Sequence, residues 1–411
     1  MEKSVDMIDE EFIDLNYKPK NEIICTFKIE PSEELKIEQA AARVASESSV
    51  GTWTTLTKIP DRINKIKARV FQIDGNIVKI SYPLELFEEG NIPQLLSSVA
   101  GNIFGMRAVK NLRLEDIEFP LDYLKAFKGA KFGIHGIRER LKIKDRPLIA
   151  TVPKPKVGFD VDEYAEVAYN SLLGGVDLIK DDENLTNQKF IRFEERLEKV
   201  MKVIEKVENE TGEKKSYLVN ITSETKEMLK RAKMVADYGN EYVMIDFLTA
   251  GFSALQTLRE ECEDLNLAIH AHRAMHAAFT RNPNHGISLK VLTKIVRIIG
   301  VDNIHIGTGV GKMVGEVEEV KELADICRRD WYHLKPIFPV SSGGLHPGLI
   351  PDIIRIFGRD VIIQAGGGIH GHPDGSYAGA KALREAIELT LKGESLENGG
   401  YELKRALEKW C

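Results

Sequence analysis

Between residues 147 and 366 short apolar runs alternate with longer amphipathic ones. The apolar runs are PLIATV at 147–152, GVDLIK at 175–180, SYLVNI at 216–221, EYVMIDF at 241–247, LAIHAH at 267–272, NIHIGT at 303–308, IFPVSS at 337–342 and VIIQAG at 361–366. Their length and their content of β-branched residues predict strands. Between them, segments such as DEYAEVAYNSLLG, FEERLEKVMKVIEKVENE, SETKEMLKRAKMVADYG and SLKVLTKIVRIIG carry apolar residues three and four apart, which predicts helices. Several end in glycine, a common residue just past a helix C-terminus. A strand-helix unit repeated eight times predicts a parallel (β/α)8 barrel; periodicity alone leaves an open doubly wound sheet as the alternative.

The first 135 residues follow another rhythm. NEIICTFKIE predicts a strand, EELKIEQAAARVASES a helix, and RINKIKARVFQIDGNIVKISYPL two strands turning at Asp74-Gly75. We therefore expect an N-terminal α+β domain over 1–135 and the barrel over 136–411. The run from about 396 predicts a helix appended to the barrel.

Composition narrows the partners. The 411 residues are 43% hydrophobic and 29% charged, with a net charge of -6, which predicts a soluble globular protein with no strongly basic face for nucleic acid. The acidic, charge-broken start MEKSVDMIDEEFIDLNYKPK is not a signal peptide, and no apolar run is long enough for a membrane span. Cys25, Cys262, Cys327 and Cys411 are scattered without CxxC spacing, so neither a zinc site nor a disulfide framework is expected, and a reducing cytoplasm fits.

A barrel keeps its active site at the carboxyl ends of its strands, so polar residues there have predictive value. Strand one leads into Lys154 and Lys156, and strand two into Lys180, Asp182 and Glu183. Strand five ends in His270 and His272, followed by Arg273; strand six carries His305 and leads into GTGVGKMVGE. Strand seven ends in Ser341-Ser342-Gly343-Gly344, and strand eight in Gln364 before Gly366-Gly367-Gly368. A single histidine or glycine turn is usually structural. Their convergence on one rim points to an active site.

The glycine turns after strands seven and eight suit a phosphate, because bare backbone N–H groups approach an anion closely. Arg273 and His305 suit a second phosphate. The glycine-rich loop around Lys312 reads as a mobile lid, and its spacing does not fit a P-loop. Asp182 and Glu183 are hard oxygen ligands suited to Mg²⁺. A protonated Lys180 beside such a metal would be repelled. As a carbamate formed with CO₂ it would supply a third oxygen ligand, and a lysine whose pKa is lowered by its surroundings suits that reaction.

Eight ordered motifs carry a resemblance that spans nearly the whole chain: ESSVGTWTT at 47–55, GNIFGM at 101–106, KPKVG at 154–158, GGVDLIKDDEN at 174–184, HAHRAMHA at 270–277, HIGTGVGKMVGE at 305–316, PVSSGGLHP at 339–347 and QAGGGIHGHP at 364–373. The chain resembles the large subunit of ribulose-1,5-bisphosphate carboxylase/oxygenase (RuBisCO). The resemblance implies an N-terminal α+β domain followed by a (β/α)8 barrel. It implies Mg²⁺-dependent carboxylation and oxygenation of ribulose 1,5-bisphosphate, with CO₂ or O₂ as co-substrate, giving two 3-phosphoglycerate from the carboxylation.

Lys180 matches the carbamylated lysine, and Asp182 and Glu183 match the other two metal ligands. Lys154 and His272 match the proton-handling residues, and Lys312 matches the lid lysine. Lys156, Arg273, His305, Ser342, Gly343, Gly344, Gln364, Gly366 and Gly367 match the substrate site. Glu47, Thr52, Trp53 and Asn102 match residues that complete the site from a neighbouring subunit. A homodimer or a ring of dimers is therefore implied, with no small subunit.

Three departures from the plant type stand out. Thr151 lies three places before Lys154 rather than two, the lid reads GTGVGKMVGE rather than GTVVGKLEGE, and LHPGLIP with GHPDGSYAGAKALREA resembles the archaeal type, form III. That type implies a role in AMP degradation. Two other functions stay in view: a RuBisCO-like enolase or isomerase of methionine salvage, and a non-catalytic phosphate-binding barrel. Relatives of the first kind typically lose part of the lid or N-terminal set, which is complete here.

Overall fold

The computed structural model describes residues 11–52, 60–310 and 317–411. The described residues fall into two compact units. One gathers those up to Lys128 together with Met275–Ile298; the other gathers Gly129–Ala274 and Ile299–Cys411.

The strands, in chain order, are β1 (Glu22–Pro31), β2 (Arg69–Asp74), β3 (Ile77–Pro83), β4 (Val109–Glu118), β5 (Leu148–Thr151), β6 (Leu178–Lys180), β7 (Ser216–Asn220), β8 (Tyr242–Asp246), β9 (Ala268–His272), β10 (Gly286–Ile287), β11 (Asn303–His305), β12 (Phe338–Ser342) and β13 (Ile362–Gln364). The first unit holds a five-stranded sheet in the order β10-β4-β1-β3-β2. β1 runs antiparallel to both β3 and β4. Strict alternation along β1 buries Ile23, Cys25, Phe27 and Ile29, as a half-covered strand requires. The helix Ile37–Glu47 buries Ala40, Ala41, Val44 and Ala45. The hairpin turns after Asp74 as expected, but the start of the segment read as strand forms the short helix Asp61–Ile66. Its charged residues remain solvated and none is buried, so nothing holds it in a sheet.

The second unit is a closed barrel, β5-β6-β7-β8-β9-β11-β12-β13, with β13 pairing back to β5 in parallel. All eight strands fall within the apolar runs. Leu148, Ala150, Leu178, Leu218, Met244, Ala268, Phe338, Val340 and Ile362 form one buried core, to which the helix Gly133–Leu141 adds Ile137 and Leu141. Of the four segments read as helices, three form Val161–Leu173, Phe193–Thr211 and Thr225–Asp237 in this unit, and the fourth forms Leu289–Ile299, all but its last residue in the first unit. Asp160 caps the first of these and exchanges hydrogen bonds with Glu163. Gly212 ends the second in the left-handed region. The C-terminal run forms a short turn at Leu396–Asn398 and the helix Tyr401–Trp410, which packs on the helix Gly375–Lys392.

Among the described residues, no helix is long and apolar enough to cross a membrane. None of the four cysteines is in a disulfide among the described residues, and Cys25, Cys262 and Cys327 are buried.

Candidate active site at the carboxyl ends of the barrel strands

β6 delivers the centre of the site. Lys180, its last residue, is wholly buried, and its Nζ donates to the Asp181 carbonyl at 2.8 Å. Burial pushes the Lys180 ammonium below its usual range, although Glu183, Asp246 and Asp182 pull it back. Asp182 is also buried and pairs with Lys154 Nζ at 3.1 Å. Burial works against its ionisation. The backbone N–H of Asn184 and the Lys154 charge outweigh burial and hold the carboxyl below the usual range.

A buried polar clamp fixes the backbone between these two residues. Asp181 accepts from Tyr164 Oη at 2.7 Å, Tyr217 Oη at 2.5 Å, the Asn220 backbone N–H at 2.9 Å and an Arg196 guanidinium nitrogen at 3.1 Å. Asp181 and Arg196 are both fully buried. Asn220 Nδ2 donates to the Glu183 carbonyl at 3.2 Å, which ties the turn after β6 to the end of β7. Neighbouring side chains thus point opposite ways: Asp181 into the clamp, Asp182 toward Lys154.

β8 and β9 supply a carboxyl-imidazole pair. His272 Nδ1 lies 2.8 Å from Asp246 Oδ1, and the Ala274 backbone N–H reaches the same nitrogen at 3.2 Å. The other ring nitrogen, Nε2, is 3.7 Å from Glu183 Oε2. Burial raises Asp246 to about 7, with Lys180 pulling the other way. Burial and then the Lys180 charge push His272 down to about 3. The imidazole is therefore neutral at neutral pH. Protonated, Asp246 donates to Nδ1, as the Ala274 N–H does; ionised, it accepts from Nδ1–H, which the Ala274 N–H then opposes. Either state holds the ring in one orientation.

A second chain of contacts links β9 to two more strands, β11 and β12. His270 Nε2 is 2.9 Å from His305 Nε2, and His305 Nδ1 is 2.8 Å from Ser342 Oγ. The His272 and His305 rings meet edge to face with centroids 4.7 Å apart. Ser342 ends β12, and Gly343 and Gly344 follow at φ 117° and 67°, a conformation that side chains resist. Gly366 follows Gln364 after β13, and a methyl group there would come within 3.1 Å of Lys154 Cε. Burial lowers Arg273 to about 10, with Glu319 pulling it up.

The structure thus brings Lys154, Lys180, Asp182, Glu183, His272, His305 and Ser342 into one connected set. Lys156 is exposed in the loop after β5, and Gly344 and Gly367 are exposed. In the first unit, Glu47 ends the helix Ile37–Glu47, Thr52 is half-buried, and Asn102 begins the turn Asn102–Gly105. Trp53 and Lys312 lie outside the described residues. Thr151 is engaged by the protein: its Oγ1 donates to the Ala365 carbonyl at 2.6 Å and meets His370 Nε2 at 2.9 Å. Asp181, Asn220, Asp246 and Arg196 were not foreseen. The signal for Asp246 and Asn220 was present, since each closes a strand.

A closed parallel barrel with charged and imidazole side chains gathered at its strand ends defines an enzyme of the (β/α)8-barrel class. The chain matches the RuBisCO large chain N-terminal domain over residues 11–123 and the RuBisCO large chain catalytic domain over 133–410. It is 57% identical to a ribulose bisphosphate carboxylase of Pyrococcus abyssi, over 97% of this chain and 96% of that protein. Its fold superposes on the octameric RuBisCO of Pyrococcus horikoshii, solved with sulfate, with a TM-score of 0.95 and 56% identity over 98% of this chain and 96% of that one. For the dimeric RuBisCO of Hyperthermus butylicus the TM-score is 0.93 and the identity 51%, over 98% and 99%. The chain belongs to the RuBisCO large-chain family, in its archaeal branch, and is an enzyme of the ribulose-bisphosphate carboxylase kind.

Proposed function

We propose that the protein carboxylates, and in a side reaction oxygenates, ribulose 1,5-bisphosphate at this rim, after activation of Lys180 by CO₂ and Mg²⁺. The observation that carries the reading is a fully buried lysine followed by a buried carboxylate and Glu183. Burial favours the neutral amine, the form that attacks CO₂. The balanced step is amine plus CO₂ giving carbamate plus a proton. Among the described residues, no set of three His, Cys, Asp or Glu side chains is gathered for a metal. Asp182 and Glu183 are two hard oxygen donors, so a carbamate on Lys180 fits as the third. The same residues would hold Mg²⁺, which when bound supplies the positive charge that stabilises developing enediolate oxygen.

The chain's own groups do the rest. Asp246 orients His272, whose Nε2 faces the carboxylate side of the site and moves protons there. Lys154 is positioned to deliver the last proton. Arg273 and the Ser342 hydroxyl hold one phosphate, and His305 supports that contact from behind Ser342. The N–H groups of Gly343, Gly344, Gly366 and Gly367 hold the other, with Lys156 and Gln364 at the margin. Lys312 closes over the site and stabilises the new carboxylate. Glu47, Thr52, Trp53 and Asn102 complete the site from a neighbouring subunit, so the working unit is a homodimer or a ring of dimers. A place in AMP degradation is what the resemblance of LHPGLIP and GHPDGSYAGAKALREA to the archaeal type implies.

The deciding experiment is preincubation with CO₂ and Mg²⁺, then addition of ribulose 1,5-bisphosphate and labelled CO₂. Label in 3-phosphoglycerate is expected. An isomerised or enolised product without label would overturn the reading.

A further inference from the structure

We propose that the buried His270 is a positioning residue: it sets the tautomer of His305 and so leaves the Ser342 hydroxyl hydrogen free for an anionic oxygen of the ligand. The role of that hydrogen rests on the phosphate reading above; the tautomer does not.

Three side chains stand in a row, His270 to His305 to Ser342, with separations of 2.9 and 2.8 Å. Burial, first among the causes, keeps both imidazoles well below their ordinary range, so each is neutral and carries one N–H. Two facing Nε2 atoms at this distance share one hydrogen, which leaves two arrangements. In the first, His270 Nε2–H donates to His305 Nε2. His305 then carries its hydrogen on Nδ1 and donates it to Ser342 Oγ. In the second, His305 Nε2–H donates to His270, and His305 Nδ1 accepts from the Ser342 hydroxyl.

The far nitrogen of His270 decides between them. His270 Nδ1 is buried and has no hydrogen-bond partner among the described residues. In the second arrangement it would carry a hydrogen and become a buried N–H without an acceptor. In the first it is a bare acceptor. An orphaned buried N–H is the rarer and costlier defect. The first arrangement is therefore favoured, and the row reads donor to acceptor from His270 outward.

The consequence falls on Ser342. It is half-buried at the end of β12, beside the glycine turn. Its oxygen accepts from His305, so its hydrogen is unused and can point at a ligand. In the reverse arrangement the hydrogen would be consumed and an anion would face lone pairs instead. His270 thus fixes the polarity of a ligand contact while touching no ligand.

The test has two arms. Solid-state ¹⁵N spectra of the sedimented, histidine-labelled, ligand-free protein should show His305 protonated on Nδ1; protonation on Nε2 would overturn the proposal. The second arm compares His270→Gln, whose amide can still donate to His305, with His270→Leu, which cannot. In Leu, the KM for ribulose 1,5-bisphosphate should rise about 10-fold or more, exceeding any fall in kcat, while Gln should recover most of that loss. Equal KM effects in the two variants would overturn the proposal; if Leu does not fold, the spectrum of the native protein still decides. A wild-type chain that shows Nδ1 protonation but no saturable binding of the bisphosphate would sink the substrate reading and leave the tautomer assignment standing.

Discussion

Asp246 and His272 are register partners on adjacent strands, β8 and β9, and their side chains meet at 2.8 Å. The backbone ladder therefore sets the pair, not a loop. A carboxyl that fixes Nδ1 determines what Nε2 presents to the site.

Replacing Asp246 by Ala should free the ring. We expect kcat for carboxylation to fall about 100-fold, the scale of general acid-base catalysis, while KM for the bisphosphate changes little. Proton exchange at the substrate's C3 should fall in parallel. Steady-state kinetics and exchange into deuterated water measure both. A rise in KM at constant kcat would show that Asp246 serves binding rather than proton transfer.

The clamp beneath Lys180 makes a second prediction, on stability. Asp181 and Arg196 are both fully buried, so removing one charge strands the other. Asp181→Asn should cost about 3–5 kcal/mol. Tyr217→Phe removes one of Asp181's hydrogen bonds and should cost about 1–3 kcal/mol. Chemical denaturation compares them. If Asp181→Asn is no worse than Tyr217→Phe, Asp181 is not the hub of the clamp.

The eight barrel strands were legible because each apolar run is short, flanked by breakers, and buried on both faces. β4 was missed. Its sequence VKNLRLEDIE scatters charges along the strand, and its buried pattern is irregular. The gathering of polar groups was legible where chemistry and position coincide, as at Lys180, Asp182 and His272, which the barrel brings together. It was not legible at Asp181 and Arg196. A carboxylate inside KDDEN gives no local sign that it points away from its neighbours, and Arg196 lies one turn into a helix whose exposed face is equally charged. Those contacts are set by packing between elements.

The buried imidazoles predict acid sensitivity. Burial holds His272 at about 3 and His370 at about 4, and keeps His270 and His305 well below 6.5. Each returns to about 6.5 on unfolding. These are bases with depressed folded pKa values, so the unfolded chain binds the extra protons. Their stabilisation is full above about pH 6.5 and is lost as the pH falls toward 4. Asp246 has the opposite sign: raised to about 7, it contributes fully below its unfolded value and loses that as pH rises through 7. Between pH 4 and 6.5 it offsets one histidine. Unfolding should then take up at most about three protons, a slope of up to about 4 kcal/mol per pH unit. Urea midpoints of the metal-free chain at several pH values in this range check the sign, and a flat profile would count against it.

Two glycines after β13 should separate folding from function. A methyl group on Gly368 would sit 1.9 Å from the Leu345 carbonyl oxygen and 2.8 Å from the His346 Cα. Both are backbone atoms, so the chain itself must shift, and Gly368→Ala should destabilise the barrel by several kcal/mol, on the order of an overpacked core. A methyl group on Gly366 would instead meet Lys154 Cε at 3.1 Å, a contact with a flexible side chain. Lys154 can swing aside, so the fold should hold with a stability change under about 1 kcal/mol. The swing moves Nζ away from Asp182, which it now contacts at 3.1 Å. Gly366→Ala should therefore lower carboxylation about 10-fold or more at nearly native stability, because positioning of reacting groups is lost over fractions of an ångström. Thermal midpoints beside kcat resolve the two cases. Equal loss of stability in both variants would mean that Gly366 is a packing position and that Lys154 is held by something other than the space this glycine leaves.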